Sequence, residues 1–256
     1  EETVEVLDED DTAAGPAALT APEKPSEGLE LTGQTLIDTA EPVRVETTPA
    51  PSTAFAEFSA KFTDDRERPL MSFIFLVTTV AEVEVMSNFS TPMTLAVAAD
   101  NPAANEIIAS YRALGGEVVL LLPSAGAGAL RKGGNPSDVP AFLDAALSNI
   151  EGVMGVMDGP DGDVNQDTRM MSAILAKLSE TGHALMTVNG LGLNRTSILA
   201  KEAGVPATSI YKVVDTKDGT IAVIRELDKI VLQIGDRRSV TIFAQATPDM
   251  LFALKF

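Results

Sequence analysis

The stretch MTLAVAADNPAANEIIASYRALGGEVVLLLPS, residues 93–124, decides the fold class. Two apolar runs, 93–98 and 117–122, are too short for buried helices and rich in the aliphatic residues of a buried strand. Between them, residues 101–114 open on Asn101-Pro102, carry apolar residues at helical spacing, and stop at Gly115-Gly116, the start and stop signals of a helix. Strand, helix and strand within about thirty residues make a parallel crossover unit.

The same rhythm repeats outward from this segment. Further strands are predicted at 71–77, 152–157, 184–188, 209–214 and 240–244, and further helices at 138–150, 167–181, 194–203 and 220–234. On the helix at 167–181, Met170, Met171, Ile174, Leu175 and Leu178 share one face. On that at 220–234, Ile221, Ile224, Leu227, Ile230 and Val231 do so. Seven strands joined by crossovers predict an α/β fold, one parallel sheet or a (β/α) barrel, with chemistry at the C-terminal strand ends.

Upstream the composition changes. Residues 1–60 carry fourteen acidic and two basic side chains, so they hold twelve of the eighteen net negative charges, and they mix Glu, Asp, Pro, Thr and Ala with little periodicity. An acidic, disordered linker or tail is expected over 1–67, followed by the folded domain over 68–256. Its short apolar islands, residues 29–31, 36–37 and 43–45, are candidate docking segments for a partner. The acidic balance, with an isoelectric point near 4.3, argues against nucleic acid and anionic lipid. With 45% apolar residues and a mean hydropathy of +0.14 the chain can still build a core. A start at Glu1 rather than Met leads us to expect a lost leading segment, an anchor or a signal, and the final ALKF reads as stopping inside a helix.

The inventory of catalytic residue types is narrow: one histidine, His183, and no cysteine. His183 directly precedes the strand at 184–188, which puts it at the end of the sheet away from chemistry. Serines 87, 90, 124 and 197 have no imidazole to activate them. The acidic loop Asp158–Asp167 follows a strand, and Asp161, Asp163 and Asn165 have the spacing that opens a calcium loop. The match fails at Gln166, where glycine is required, and at Ser172, where a bidentate glutamate is required. The glycine-rich loop Ser124–Asp138 contains Arg131 and Lys132 but lacks the phosphate-loop ending. NGLGLN, residues 189–194, lacks the third glycine of the dinucleotide fingerprint.

Taken together, PLMSFIFLVTT (69–79), TPMTLAVAADNPAANEIIASYRALGGEVVLLLPS (91–124), GVMGVMDGPDG (152–162) and VTIFAQATPDML (240–251) resemble the divergent polysaccharide deacetylase family. The resemblance implies a distorted (β/α) barrel of about seven parallel strands, related to metal-dependent carbohydrate deacetylases and often carried behind a linker in the cell envelope or periplasm. It also implies where metal ligands would fall. The family's Asp-Asp pair aligns with Val77 and Thr78. Its His-Leu-Pro aligns with Leu121-Leu122-Pro123, its Asn-Asn-His-Met-Gly with Met157-Asp158-Gly159-Pro160-Asp161, and its late Gly-His-Pro with Ala244-Gln245-Ala246. None of these positions keeps its ligand.

The resulting expectation is a catalytically degenerate domain with no metal, no cofactor and no catalytic residue, which binds an envelope glycan or a protein. Its groove would be lined by Thr78, Thr79, Leu121, Ser124, Asp158, Asp161, Asn189 and Gln245. Two alternatives stand beside it. One is an active hydrolase deacetylating a cell-wall carbohydrate through Asp158 with Asp161 or Asp163, and the other is an accessory subunit docked through residues 1–60.

Overall fold

The computed structural model describes residues 53–61, 69–126, 129–188, 195–234 and 239–255. In chain order the elements are α1 (Ala54–Phe58), β1 (Leu70–Leu76), α2 (Val80–Met86), β2 (Thr94–Ala98), α3 (Ala104–Ala113) and β3 (Glu117–Leu121). There follow α4 (Val139–Ser148), β4 (Gly155–Asp158), α5 (Thr168–Thr181), β5 (Ala184–Val188), α6 (Arg195–Ala203), β6 (Ala207–Val214), α7 (Thr220–Gln233), β7 (Ser239–Gln245) and α8 (Pro248–Ala253). The seven strands are all parallel, pair in sequence order, and close through β1 and β7 into a barrel. The α/β barrel expectation is therefore met.

Alternation along each strand separates two apolar layers. Ile74, Ala96, Val119, Met157, Met186, Ile210 and Phe243, one from each strand, form the core of the barrel interior. Their neighbours Phe75, Leu95, Val97, Val118, Leu120, Val156, Leu185 and Ile242 face outward and pack with the helices. The close spacing of β4 and β5 needs Gly155, because a Cβ there would lie 2.5 Å from the Ala184 carbonyl oxygen.

The helices meet this outer layer as their periodicity predicts, with one difference. Met170, Met171, Ile174, Leu175 and Leu178 of α5 are all buried. On α7 the buried residues are Val223 and Ile230, with Ile224 and Leu227 packed beside them, while Ile221 and Val231 are 67% and 59% exposed. A stretch apolar on more than one face leaves the inward stripe undetermined until the barrel curvature selects it.

Boundaries also move. The helix expected from Asn101 begins at Ala104, because Asn101 builds the preceding turn: its side-chain oxygen accepts from Ala103 N at 2.8 Å and its Nδ2 donates to the Thr78 carbonyl at 3.0 Å. The strand expected at 152–157 starts only at Gly155, after Gly152 turns the chain at φ +83°. Neither α1 nor α2 was separately expected. At the chain end, α8 finishes at Ala253.

Residues 53–61 fall on the tail side of the boundary drawn at 67, yet they fold against the barrel. Phe55 and Phe58 of α1 pack on the interior cluster. Phe55 N donates to the Gly182 carbonyl at 2.8 Å and Ala60 N to Glu117 Oε2 at 3.0 Å. Arg112 donates to the Phe58 carbonyl at 2.6 Å and lies 5.1 Å from the Phe58 ring centroid, a cation–π arrangement. All these contacts lie at the N-terminal ends of the strands. Two phenylalanines three residues apart outweigh the polar composition around them, because the open end of the barrel offers their rings an apolar surface. Among the described residues, no helix is long and apolar enough to cross a membrane.

Candidate functional site

The C-terminal strand ends form the mouth of the barrel. One period above the interior cluster, at its C-terminal end, Leu76, Leu121, Val188 and Val213 are half-buried and pack on it. Leu76, Leu121 and Val188 follow the inward residues Ile74, Val119 and Met186 by two positions, so alternation points them the same way. The floor of the mouth is aliphatic where a hydrolytic barrel would place polar groups.

Leu121 and Gly159 meet directly. A Cβ on Gly159 would fall 2.7 Å from Leu121 Cδ1, inside any normal contact distance. The leucine side chain thus takes the space that a side chain at 159 would need. Both positions lie where the family resemblance implies histidine.

Thr78 and Thr79 follow β1 and are exposed, but their polar groups are committed to starting α2. Thr79 Oγ1 accepts from Glu82 N, while Glu82 Oε2 accepts from Thr78 N at 2.6 Å and Thr79 N at 3.0 Å, a reciprocal capping box. Val77 is fully buried in the outer layer. Replacing Thr79 by Ala is expected to cost about 1 kcal/mol. A thermal scan would show a fall of about 3 °C.

Asp158, at the end of β4, shares the outward parity of Val156 and is only 5% exposed. Its carboxylate accepts from Asn165 N at 3.4 Å and lies against Gly162, where a Cβ would sit 1.8 Å from Oδ1. Burial raises its pKa to about 6; the Asn165 N–H opposes the rise and the charge of Asp163 adds to it. It serves as the buried base of the β4–α5 loop and does not face the mouth.

That loop is tied to its neighbours. Asp163 Oδ1 accepts from Lys132 N at 2.9 Å and Asp167 Oδ2 from Gly133 N at 2.8 Å, joining the β4–α5 loop to the β3–α4 loop. Asp167 also caps α5 through Arg169 N and Met170 N, and these donors hold its pKa below the usual carboxylate range, the Gly133 N–H most of all. Asn165 Nδ2 donates to the Val188 carbonyl at 2.8 Å. Asp161 is exposed on the same loop, Ser124 is half-buried at the start of the β3–α4 loop, and Gln245 is exposed at the end of β7 opposite Leu76. Asn189 and the segment 189–194 lie outside the described residues.

The structure therefore brings Leu121 and Gln245 to the mouth with Leu76, Val188 and Val213. Thr78 and Thr79 serve in a helix cap, and Asp158 with Asp163 holds a loop. The aliphatic floor and the Leu121–Gly159 contact carry no sequence motif; period-two alternation from Ile74, Val119 and Met186 is the signal that points to the floor. His183 lies at the opposite end, before β5, as expected. Its Nδ1 is buried without a hydrogen-bond partner among the described residues, and burial pushes its pKa down.

The metal implied by the family does not fit these residues. Val77, Thr78, Leu121, Gly159 and Gln245 offer one hydroxyl and one amide, and neither is the anionic or imidazole donor that activates bound water. Among the described residues no three His, Cys, Asp or Glu side chains converge.

Comparison with known proteins agrees with the architecture. A crystal structure of an uncharacterised protein of Agrobacterium tumefaciens is similar at 14% identity and a TM-score of 0.68, over 79% of this chain and 87% of that one. A protein of Enterococcus faecalis named for cellobiose-phosphate cleavage is similar at 11% identity and a TM-score of 0.52, over 74% and 95% of the two chains. At such identities the likeness concerns the fold alone. Among proteins of curated function, none matches the sequence. The family model for divergent polysaccharide deacetylases matches residues 77–255, from the end of β1 through α8 and over more than two-thirds of the sequence. The chain belongs to the divergent polysaccharide deacetylase family.

Proposed function

We propose that this chain is a non-catalytic member of its family that works by binding, with the aliphatic mouth as its contact surface and a protein of the cell envelope as its partner. The observation that carries the proposal is Leu121 lying over Gly159, with Leu76, Val188 and Val213 as further aliphatic side chains at the strand ends. A glycan partner is the weaker form of the same reading. Sugar binding draws on exposed aromatic faces. This chain has no Trp and two Tyr, of which Tyr111 is buried with its hydroxyl donating to the Met93 carbonyl at 2.8 Å. The envelope or periplasmic location, and docking through residues 1–60, rest on the family resemblance and on the acidic, Pro-rich composition of that segment.

One observation favours the alternative of an active carbohydrate deacetylase: a buried carboxyl titrating near 6 has the character of a general acid or base. Its outward orientation under Gly162 separates it from the mouth. The two readings part in an assay of acetate release from N-acetylated chito-oligosaccharides with zinc, cobalt or manganese supplied. The binding reading expects release indistinguishable from the protein-free blank. Metal-dependent release that is abolished by Asp158→Asn would establish the hydrolase instead.

A further inference from the structure

Beside the mouth, a groove of about 550 Å³ runs between α2 and α8. These two short helices follow β1 and β7, which are neighbours and parallel in the barrel. Both helices therefore run back along the barrel in the same direction, and the groove has two distinct ends. At the end where the helices begin lie Ala81, Glu82, Ala246 and Pro248; at the end where they finish lie Asn88, Phe89 and Lys255, with Val85, Leu251 and Phe252 between.

The chemistry of the two ends differs. Glu82 is engaged at the first end, its carboxylate accepting from Thr78 N and Thr79 N in the α2 cap. At the other end Lys255 is the single cation among the lining residues, its Nζ 5.6 Å from the Phe89 ring centroid. The walls between are aliphatic and aromatic, and they include two exposed large apolar side chains, Val85 at 48% and Phe252 at 52%. The volume is that of a small-ligand cleft. Its hydrogen-bonding side chains are Glu82, held in the α2 cap, Asn88, which donates to the Glu84 carbonyl, and Lys255. So few disfavour a sugar, whereas one cation at the end of an apolar trough complements an anionic head on an apolar chain.

We propose that the α2–α8 groove binds a fatty acid, with the acyl chain along Val85, Leu251 and Phe252 and the carboxylate at Lys255. The site is independent of the mouth and of whether the protein is catalytic. An acyl chain fits a trough walled by two helices because its burial depends on apolar contact rather than on directional bonds. The head then fixes its orientation through a charge-assisted hydrogen bond.

Calorimetric titration of the full chain with dodecanoate at sub-micellar concentration tests the proposal, with dodecyltrimethylammonium as the head-group control. Saturable binding of dodecanoate near one equivalent is expected, with the cationic amphiphile at least about tenfold weaker, the factor that one charge-assisted contact supplies. Lys255→Glu should reverse that preference, and Val85→Asp, a change at an exposed helix position, should abolish binding while the thermal transition stays in place. Equal affinity for the two head groups would overturn the assignment. So would dodecanoate binding that survives Val85→Asp, or no saturable binding at all.

Discussion

Replacing Asp158 by Asn is expected to remove a pH-dependent loss of stability of about 3 kcal/mol between pH 3 and pH 8. The carboxyl titrates near 3.8 when solvated and at about 6 in the folded protein, chiefly because burial disfavours its charge. A group whose folded pKa is raised holds its proton more tightly in the native state. Its stabilising contribution is complete below 3.8 and is lost as pH rises through about 6. At about 1.4 kcal/mol per pH unit, the interval gives the quoted size. Other carboxylates act in the opposite direction: donors and nearby cations lower the pKa values of Asp167, Asp215 and Glu226, so they lose stabilisation as pH falls. The informative quantity is therefore the difference between variant and parent. Urea unfolding at pH 3 and pH 8 should show Asp158→Asn gaining on the parent by about 3 kcal/mol at the higher pH. Parallel pH profiles would mean that the carboxyl is solvated and does not hold the base of the loop.

The second large effect concerns the contact at the mouth. Gly159→His should cost about 1–3 kcal/mol, because the new Cβ would fall 2.7 Å from Leu121 Cδ1 and one of the two must move. The same substitution made on Leu121→Ala should cost distinctly less, since the colliding methyl is gone. A double-mutant cycle read by urea denaturation is expected to give a coupling of about 1–2 kcal/mol, typical of side chains in direct contact. Strict additivity would show that the two positions do not share space.

These two sites also show how far the amino-acid sequence could be read. The barrel was legible because each strand is a short apolar run bounded by turn residues, and helices such as α5 carry a single unambiguous stripe from Met170 to Leu178. Capping chemistry was legible at Asp167, which starts α5 as expected, and misleading at Asn101, whose side chain builds a turn and reaches the Thr78 carbonyl. The small helix α1 was hidden because two phenylalanines in an acidic, Pro-rich stretch acquire their meaning only from the open barrel end they cover.

The site was legible as a set of positions and not as a geometry. Sequence order placed Leu121 and Gly159 at strand ends but could not show that one fills the other's space. Asp158 read as a groove residue because it follows a strand. Its outward parity was obscured by the strand's C-terminal boundary, which was expected at 157 and includes Asp158. Thr78 and Thr79 read as groove residues for the same positional reason, and the Glu82 that recruits them into a cap lies one helical turn away.

The central claim is that, among the described residues, the floor of this barrel mouth is aliphatic and lacks the donors for a catalytic metal. Equilibrium dialysis of the full chain against zinc, at neutral pH with a weak competing chelator, tests it most directly. The account predicts no stoichiometric zinc retained and the same result for the parent and for Leu121→Ala. One equivalent held at micromolar zinc, and lost on Asp158→Asn, would contradict it.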